Sequence, residues 1–104
     1  MFIEHRIKKQ VAGRELRLTL HAQQEMVNED VTVQELLSAL TGCSVVEEYP
    51  DHQRGACYLV CGQASTGRYL HTVCTTDQPL LIVITVYEPK PPKWPTPFSR
   101  RKLL

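Results

Sequence analysis

Residues 45–87 read VVEEYPDHQRGACYLVCGQASTGRYLHTVCTTDQPLLIVITVY, and this stretch decides the fold. Short runs rich in Val, Ile, Thr, Tyr and Cys recur between clusters of Pro, Asp, Gly and Ser, which is the pattern of strands separated by turns. Val45 to Tyr49 is the first run, closed by Pro50-Asp51. Ala56 to Gln63 is the second, and Ser65-Thr66-Gly67 makes a hairpin-type connection to the third, Arg68 to Thr75. Asp77-Gln78-Pro79 turns the chain into Leu80 to Tyr87, whose β-branched content marks a central strand. Neighbouring strands joined by short turns imply a four-stranded antiparallel meander.

Upstream the spacing changes. Ile3, Ile7 and Val11 lie four apart, so Phe2 to Val11 reads as a short amphipathic helix ended by Gly13. Arg14 to Leu20 alternates Leu16, Leu18 and Leu20 with Glu15, Arg17 and Thr19, which allows a short strand or an extended entry. His21 to Glu29 holds good helix formers with Thr19 as its cap. Thr32-Val33-Gln34-Glu35 is a capping box, in which hydroxyl and carboxylate each satisfy the other residue's orphan N–H. Val33, Leu36, Leu37 and Leu40 then form an apolar stripe that stops at Gly42. Helices first and a sheet afterwards make an α+β fold, with N-terminal helices packed on one face of the sheet.

Downstream, Pro89, Pro91, Pro92, Pro95 and Pro97 forbid regular structure, so an extended tail is expected over 89–104. This tail is strongly basic. Lys90, Lys93, Arg100, Arg101 and Lys102 give it +5, whereas residues 1–88 sum to −4, and the whole chain to +1. Such an asymmetry suits a polyanion or an acidic partner, or a solvated tail.

With 104 residues, 42% apolar and 22% charged, the chain fits one domain, 1–104, with a core of its own. Its start, MFIEHRIKKQ, meets charge within four residues, and its longest apolar run, Leu80 to Ile84, is far below the roughly 20 residues that span a bilayer. A cytoplasmic protein without membrane contact is expected. Of Cys43, Cys57, Cys61 and Cys74, three lie in strand-like runs and none forms C-x-x-C, so all four are expected as buried free thiols. Histidines and acids lack metal-ligand spacing, and neither a glycine-rich phosphate loop nor a G-x-S-x-G elbow occurs. No cofactor or metal is expected.

Several segments together carry a resemblance. They are Leu18-Thr19-Leu20-His21-Ala22 with Met26, Val46-Glu47-Glu48-Tyr49-Pro50, Gly67-Arg68-Tyr69-Leu70-His71, and Ile84-Thr85-Val86-Tyr87-Glu88-Pro89 with Trp94. In this order, across roughly residues 14 to 101, they resemble an uncharacterised family of small domains found beside YgiT-type zinc-finger antitoxins. That family is related to the RelE and MqsR toxins, which share the fold of barnase-like ribonucleases. The resemblance implies a RelE/barnase-like fold and a toxin-like endoribonuclease controlled by a zinc-finger antitoxin protein. Members carry basic residues near Glu25 and Glu29; here both positions are acidic, and Asp30 adds a third charge.

Metal-independent RNA cleavage needs a base for the ribose hydroxyl proton, an acid for the leaving oxygen and cations for the phosphate. Histidine suits the first two roles, since its ordinary pKa of about 6.5 lies near working pH. His21 and His71 are the motif-bearing imidazoles, and Tyr87 at the end of the last strand completes the catalytic candidates. Arg68, Lys93, Trp94 and Arg100 are the candidates for holding RNA, with Trp94 stacking an unpaired base. Each has a bland counterpart: a packing or capping histidine, a tyrosine lid, a tryptophan folded back on the sheet. Two functions follow from this set. One is a toxin-like endoribonuclease. The other is a non-catalytic module of the same fold that binds a protein partner or nucleic acid, which Glu25 and Glu29 favour.

Overall fold

A computed structural model describes residues 2–53, 55–77 and 79–99. Gln78 of the expected turn, and the tail from Arg100 to Leu104, lie outside the described residues. The elements run α1 (Ile3–Ala12), β1 (Leu16–Leu18), α2 (Leu20–Asn28), α3 (Val33–Thr41), β2 (Ser44–Tyr49), β3 (Cys57–Gln63), β4 (Tyr69–Thr75) and β5 (Leu81–Tyr87). No helix among the described residues is long and apolar enough to cross a membrane.

The fold is α+β, but the sheet corrects the expected four antiparallel strands. It has five, in the order β1-β5-β4-β3-β2, and is mixed. The four predicted strands form the antiparallel meander; β1 then adds to the outer edge of β5 in parallel, with Leu16 opposite Leu81 and Leu18 opposite Val83. Three residues suffice because their flanks bond too: Leu81 N–H donates to Glu15 O at 2.8 Å and Thr19 N–H to Val83 O at 3.0 Å. A pairing between segments 65 residues apart leaves no mark on local periodicity.

The helices lie on one face of this sheet. Ile7 and Val11 of α1, Ala22 and Met26 of α2, and Leu36, Ala39 and Leu40 of α3 pack in one core with Val60, Leu70, Cys74, Leu81, Val83 and Val86. Helix α3 presses hardest. A Cβ added at Gly62 of β3 would stand 1.8 Å from Ala39 O, so only glycine lets strand and helix approach this closely. All four cysteines are free and buried, and burial pushes the Cys61 thiol up to about 11 and Cys43 up to about 12.

Local signals hold the helices in place. Thr19 Oγ1 accepts from Ala22 N–H at 3.1 Å. The capping box closes as expected, with Glu35 N–H donating to Thr32 Oγ1 at 3.0 Å and Thr32 N–H to Glu35 Oε1 at 3.1 Å. Glu35 does more than cap. Its other oxygen accepts from Thr66 Oγ1 at 2.5 Å and pairs with Arg68 Nε at 3.1 Å, so the start of α3 is pinned to the β3–β4 hairpin. Arg68 foremost, then Thr66 and Thr32, hold the Glu35 carboxyl down at about 2.

Two outcomes follow for stability. Gly62→Ala should cost about 3 kcal/mol, since the clash is with backbone and the whole helix must shift, as read in urea unfolding. Glu35, whose folded-state pKa lies below the ordinary 4.5, stabilises fully above about pH 4.5 and loses that contribution as pH falls toward 2. Glu35→Gln should therefore flatten the acid limb of the stability–pH curve and lose about 2 kcal/mol at pH 7.

Candidate functional site

Beyond Val83, β1 has ended and β5 would present bare backbone to α2. The sequence answers with helix side chains. Thr19 Oγ1 donates to Ile84 O at 3.2 Å, Glu25 Oε1 accepts from Val86 N–H at 2.9 Å, and Glu29 Oε1 accepts from Glu88 N–H at 2.7 Å. Alternate N–H groups of a strand face the same way and residues four apart share a helix face, so two glutamates one turn apart match two N–H groups two residues apart. The unexpected acids at 25 and 29 thus close a sheet edge.

The tail builds the opposite wall, and it is not extended as expected. It turns, with Trp94 N–H donating to Lys90 O at 3.1 Å and Ser99 N–H to Thr96 O at 3.2 Å, and folds back over the sheet face that carries His71. Prolines bar it from a strand ladder but not from docking. Trp94 is only 4% exposed and meets the His71 ring edge-on at 4.4 Å between centroids, while Phe98 meets Tyr69 at 5.3 Å.

Between these walls opens a cleft of about 440 Å³, lined by Glu25, Glu29, Thr85, Tyr87, Glu88, Lys90, Lys93 and Trp94. That volume lies in the range of small-molecule sites. The two predicted imidazoles stand behind opposite walls and neither lines it. His21, 64% exposed on α2, contacts Glu25 with Nε2 3.3 Å from Oε1. His71 is 0% exposed on β4. Its Nε2 lies 2.6 Å from Pro97 O and its Nδ1 3.1 Å from Tyr87 Oη. A carbonyl only accepts, so Nε2 carries the proton, and in the neutral ring Tyr87 donates to Nδ1. Burial, above all, pushes the His71 pKa down and keeps it neutral.

The expected acid–base pair of His21 and His71 is therefore corrected. His71 cannot touch a substrate while Trp94 and Pro97 seal it, and it acts by holding the Tyr87 ring and the tail together. Tyr87 keeps its place at the cleft floor, its ring 6.1 Å from Trp94 and tilted 30°. Arg68 does not serve as a phosphate contact. Its Nε and Nη2 bond Glu35, Nη1 bonds Glu29 O at 3.0 Å and Glu88 at 3.4 Å, and Nη2 also bonds Asp30 O. These contacts engage all five guanidinium donors. Lys93 is exposed at the cleft with Nζ 5.9 Å from the Trp94 ring centre, a cation–π distance. Trp94 supplies packing and a rim of the floor rather than an open stacking face. Arg100 lies outside the described residues. Among the described residues no three His, Cys, Asp or Glu side chains gather as a metal-binding group.

Sequence reasoning treated Glu25 and Glu29 only as departures, and it passed over Lys90. The His21–Glu25 spacing of four within a helix was the available signal.

Among known proteins, a family described as "Domain of unknown function (DUF4258)" matches residues 18–88. No curated protein and no solved structure matches. The matched span holds α2 with His21, Glu25 and Glu29, and runs through His71 and Tyr87 to Glu88. Lys90, Lys93 and Trp94 of the tail wall follow it.

Trp94→Ala should uncover His71. NMR titration of the imidazole should then show its pKa rising toward 6.5 as water relieves the burial, with stability reduced by about 3 kcal/mol.

Proposed function

The chain belongs to the DUF4258 family, and on that premise we propose that it is a toxin-like, metal-independent endoribonuclease whose catalytic centre is the cleft between α2 and the tail. Kinship with the RelE and MqsR toxins, and control by a zinc-finger antitoxin that covers the cleft, belong to the same proposal. One observation carries it: an imidazole and a carboxylate in contact, His21 and Glu25, on the wall facing Lys90 and Lys93.

Glu25 takes the proton of a ribose 2′-hydroxyl, and the freed oxygen attacks the adjacent phosphorus. The P–O5′ bond breaks as His21, in its protonated form, gives a proton to the departing oxygen. The products are a 2′,3′-cyclic phosphate end and a 5′-hydroxyl end, with no water consumed. Lys90 and Lys93 stabilise the charge that builds on phosphate in the transition state. Tyr87 shapes the floor under the ribose, and His71 is a positioning residue behind it.

The second reading, a non-catalytic interaction module, draws support from the acidic wall, since Glu25, Glu29 and Glu88 all border the cleft. Two facts weigh against it. Glu25 and Glu29 are accounted for by the N–H groups they cap, and Glu88 faces Arg68 at 3.4 Å.

Purified protein should cut single-stranded RNA in the presence of EDTA, leaving cyclic phosphate ends. His21→Ala and Glu25→Gln should each slow cleavage by about 10² to 10⁴ while folding is retained, because Gln keeps the oxygen that caps Val86 N–H. Lys90→Ala and Lys93→Ala should each reduce the log–log salt slope of RNA binding by about 0.7. Intact RNA after prolonged incubation would leave the interaction reading.

A further inference from the structure

The cleft mixes signs in an ordered way. Its α2 wall presents carboxylates, its tail wall presents ammonium groups, and its floor is aromatic. A bare polyanion would be repelled by one wall and a basic peptide by the other. A nucleotide satisfies both, provided that its base offers hydrogen-bond donors where its phosphate offers charge.

The two carboxylates divide the work. Glu25 contacts His21, whereas Glu29 stands one helical turn further on, a rise of about 6 Å, and has no histidine beside it. Glu29 is also fixed. Its Oε1 accepts from Glu88 N–H at 2.7 Å, and Glu88 is itself held by Arg68. An ionised carboxylate only accepts, with about four lone-pair sites, so one backbone bond leaves it able to take two more donors side by side. Among the four RNA bases only guanine presents two adjacent donors, N1–H and the N2 amino group, on its Watson–Crick edge. Adenine and cytosine set an acceptor beside their amino group, and uracil flanks its single N–H with two carbonyls. Facing Glu29, those acceptors meet negative charge.

We infer that the cleft selects guanosine: Glu29 reads the Watson–Crick edge of guanine, the base lies on the Tyr87–Trp94 floor, and Lys90 and Lys93 hold its 3′-phosphate. This deepens the ribonuclease reading and rests on it, and it makes Glu29 a specificity residue distinct from the His21–Glu25 pair. A site that hydrogen-bonds its ligand in this way rejects analogues lacking the matching groups, because its own buried polar atoms are left without partners.

Trp94 is the only tryptophan of the chain and borders the cleft, so its fluorescence reports occupancy directly. Titrations with 3′-GMP, 3′-AMP, 3′-CMP and 3′-UMP should show 3′-GMP binding at least tenfold tighter than the other three. Glu29→Gln keeps a carbonyl oxygen for Glu88 N–H, and it should bring the four within about threefold of one another without abolishing binding. Sequencing the ends of cut RNA should place the cleavage 3′ of guanosine. Equal affinities for the four nucleotides in the unmodified protein would overturn the inference, as would an undiminished preference in Glu29→Gln. RNA cut without regard to base would overturn it too, while leaving the ribonuclease reading intact. RNA left uncut, with no nucleotide changing Trp94 emission, would mean that the ribonuclease reading had failed and this inference with it.

Discussion

One ion pair, Arg68 with Glu35, ties together parts of the chain that share no secondary structure. The carboxylate caps α3 and takes Thr66 of the hairpin; the guanidinium takes the carbonyls of Glu29 and Asp30 where α2 ends, and reaches Glu88 where β5 ends. The bend between α2 and α3 passes through Asp30 in a left-handed conformation, φ 55°, where a non-glycine residue needs outside support. Arg68 gives it by bonding the carbonyl at that position. Glu35, only 6% exposed, would be costly to bury without so many donors. Once both ends of the pair are in place, the C-terminal turn of α2 and the last residues of β5 have fixed relative positions, and the cleft lies between them.

That placement explains how an acidic helix serves the sheet and the cleft at once. A strand edge beyond its neighbour leaves N–H groups to be satisfied, and Glu25 and Glu29 satisfy two of them. A carboxylate gripped by backbone keeps one orientation, which is what a chemical group facing a cleft requires. The tail contributes the opposite charge and the tryptophan that seals His71. The two walls are thus built differently. One is the end of a packed helix; the other is a proline-rich segment held by a single indole, a histidine bond to Pro97 O and the Tyr69–Phe98 contact.

Legibility followed distance along the chain. The Thr32–Glu35 box, the Thr19 cap and the four meander strands were readable because the groups involved lie within a few residues or alternate with a fixed period. Strand β1 was only partly readable, since Leu16-Arg17-Leu18 alternates but its partner Leu81 is 65 residues away. Arg68 was misread for the same reason. In a Gly-Arg-Tyr setting a lone arginine looks available, and nothing nearby announces Glu35, 33 residues earlier. The tail was expected to stay extended because its prolines were weighed and its apolar Trp94 and Phe98 were not. His71 illustrates the limit of motif reasoning. Its segment was distinctive, yet whether a strand histidine faces solvent depends on what covers that face of the sheet. Here 23 residues separate it from the ring that does.

The parallel seat of β1 also sets a condition on biosynthesis. Synthesis proceeds from the N-terminus, so α1, β1, α2 and α3 leave the ribosome well before Leu81–Tyr87. Ile7, Val11, Leu16, Leu18, Met26 and Leu40 have only one another to rest on until that late segment arrives, because their common core is completed by Leu81, Val83 and Val86. The nascent chain must therefore carry its greasy half uncovered through most of translation, and a stall ahead of codon 81 would release a sticky, chaperone-dependent fragment rather than a shorter folded protein.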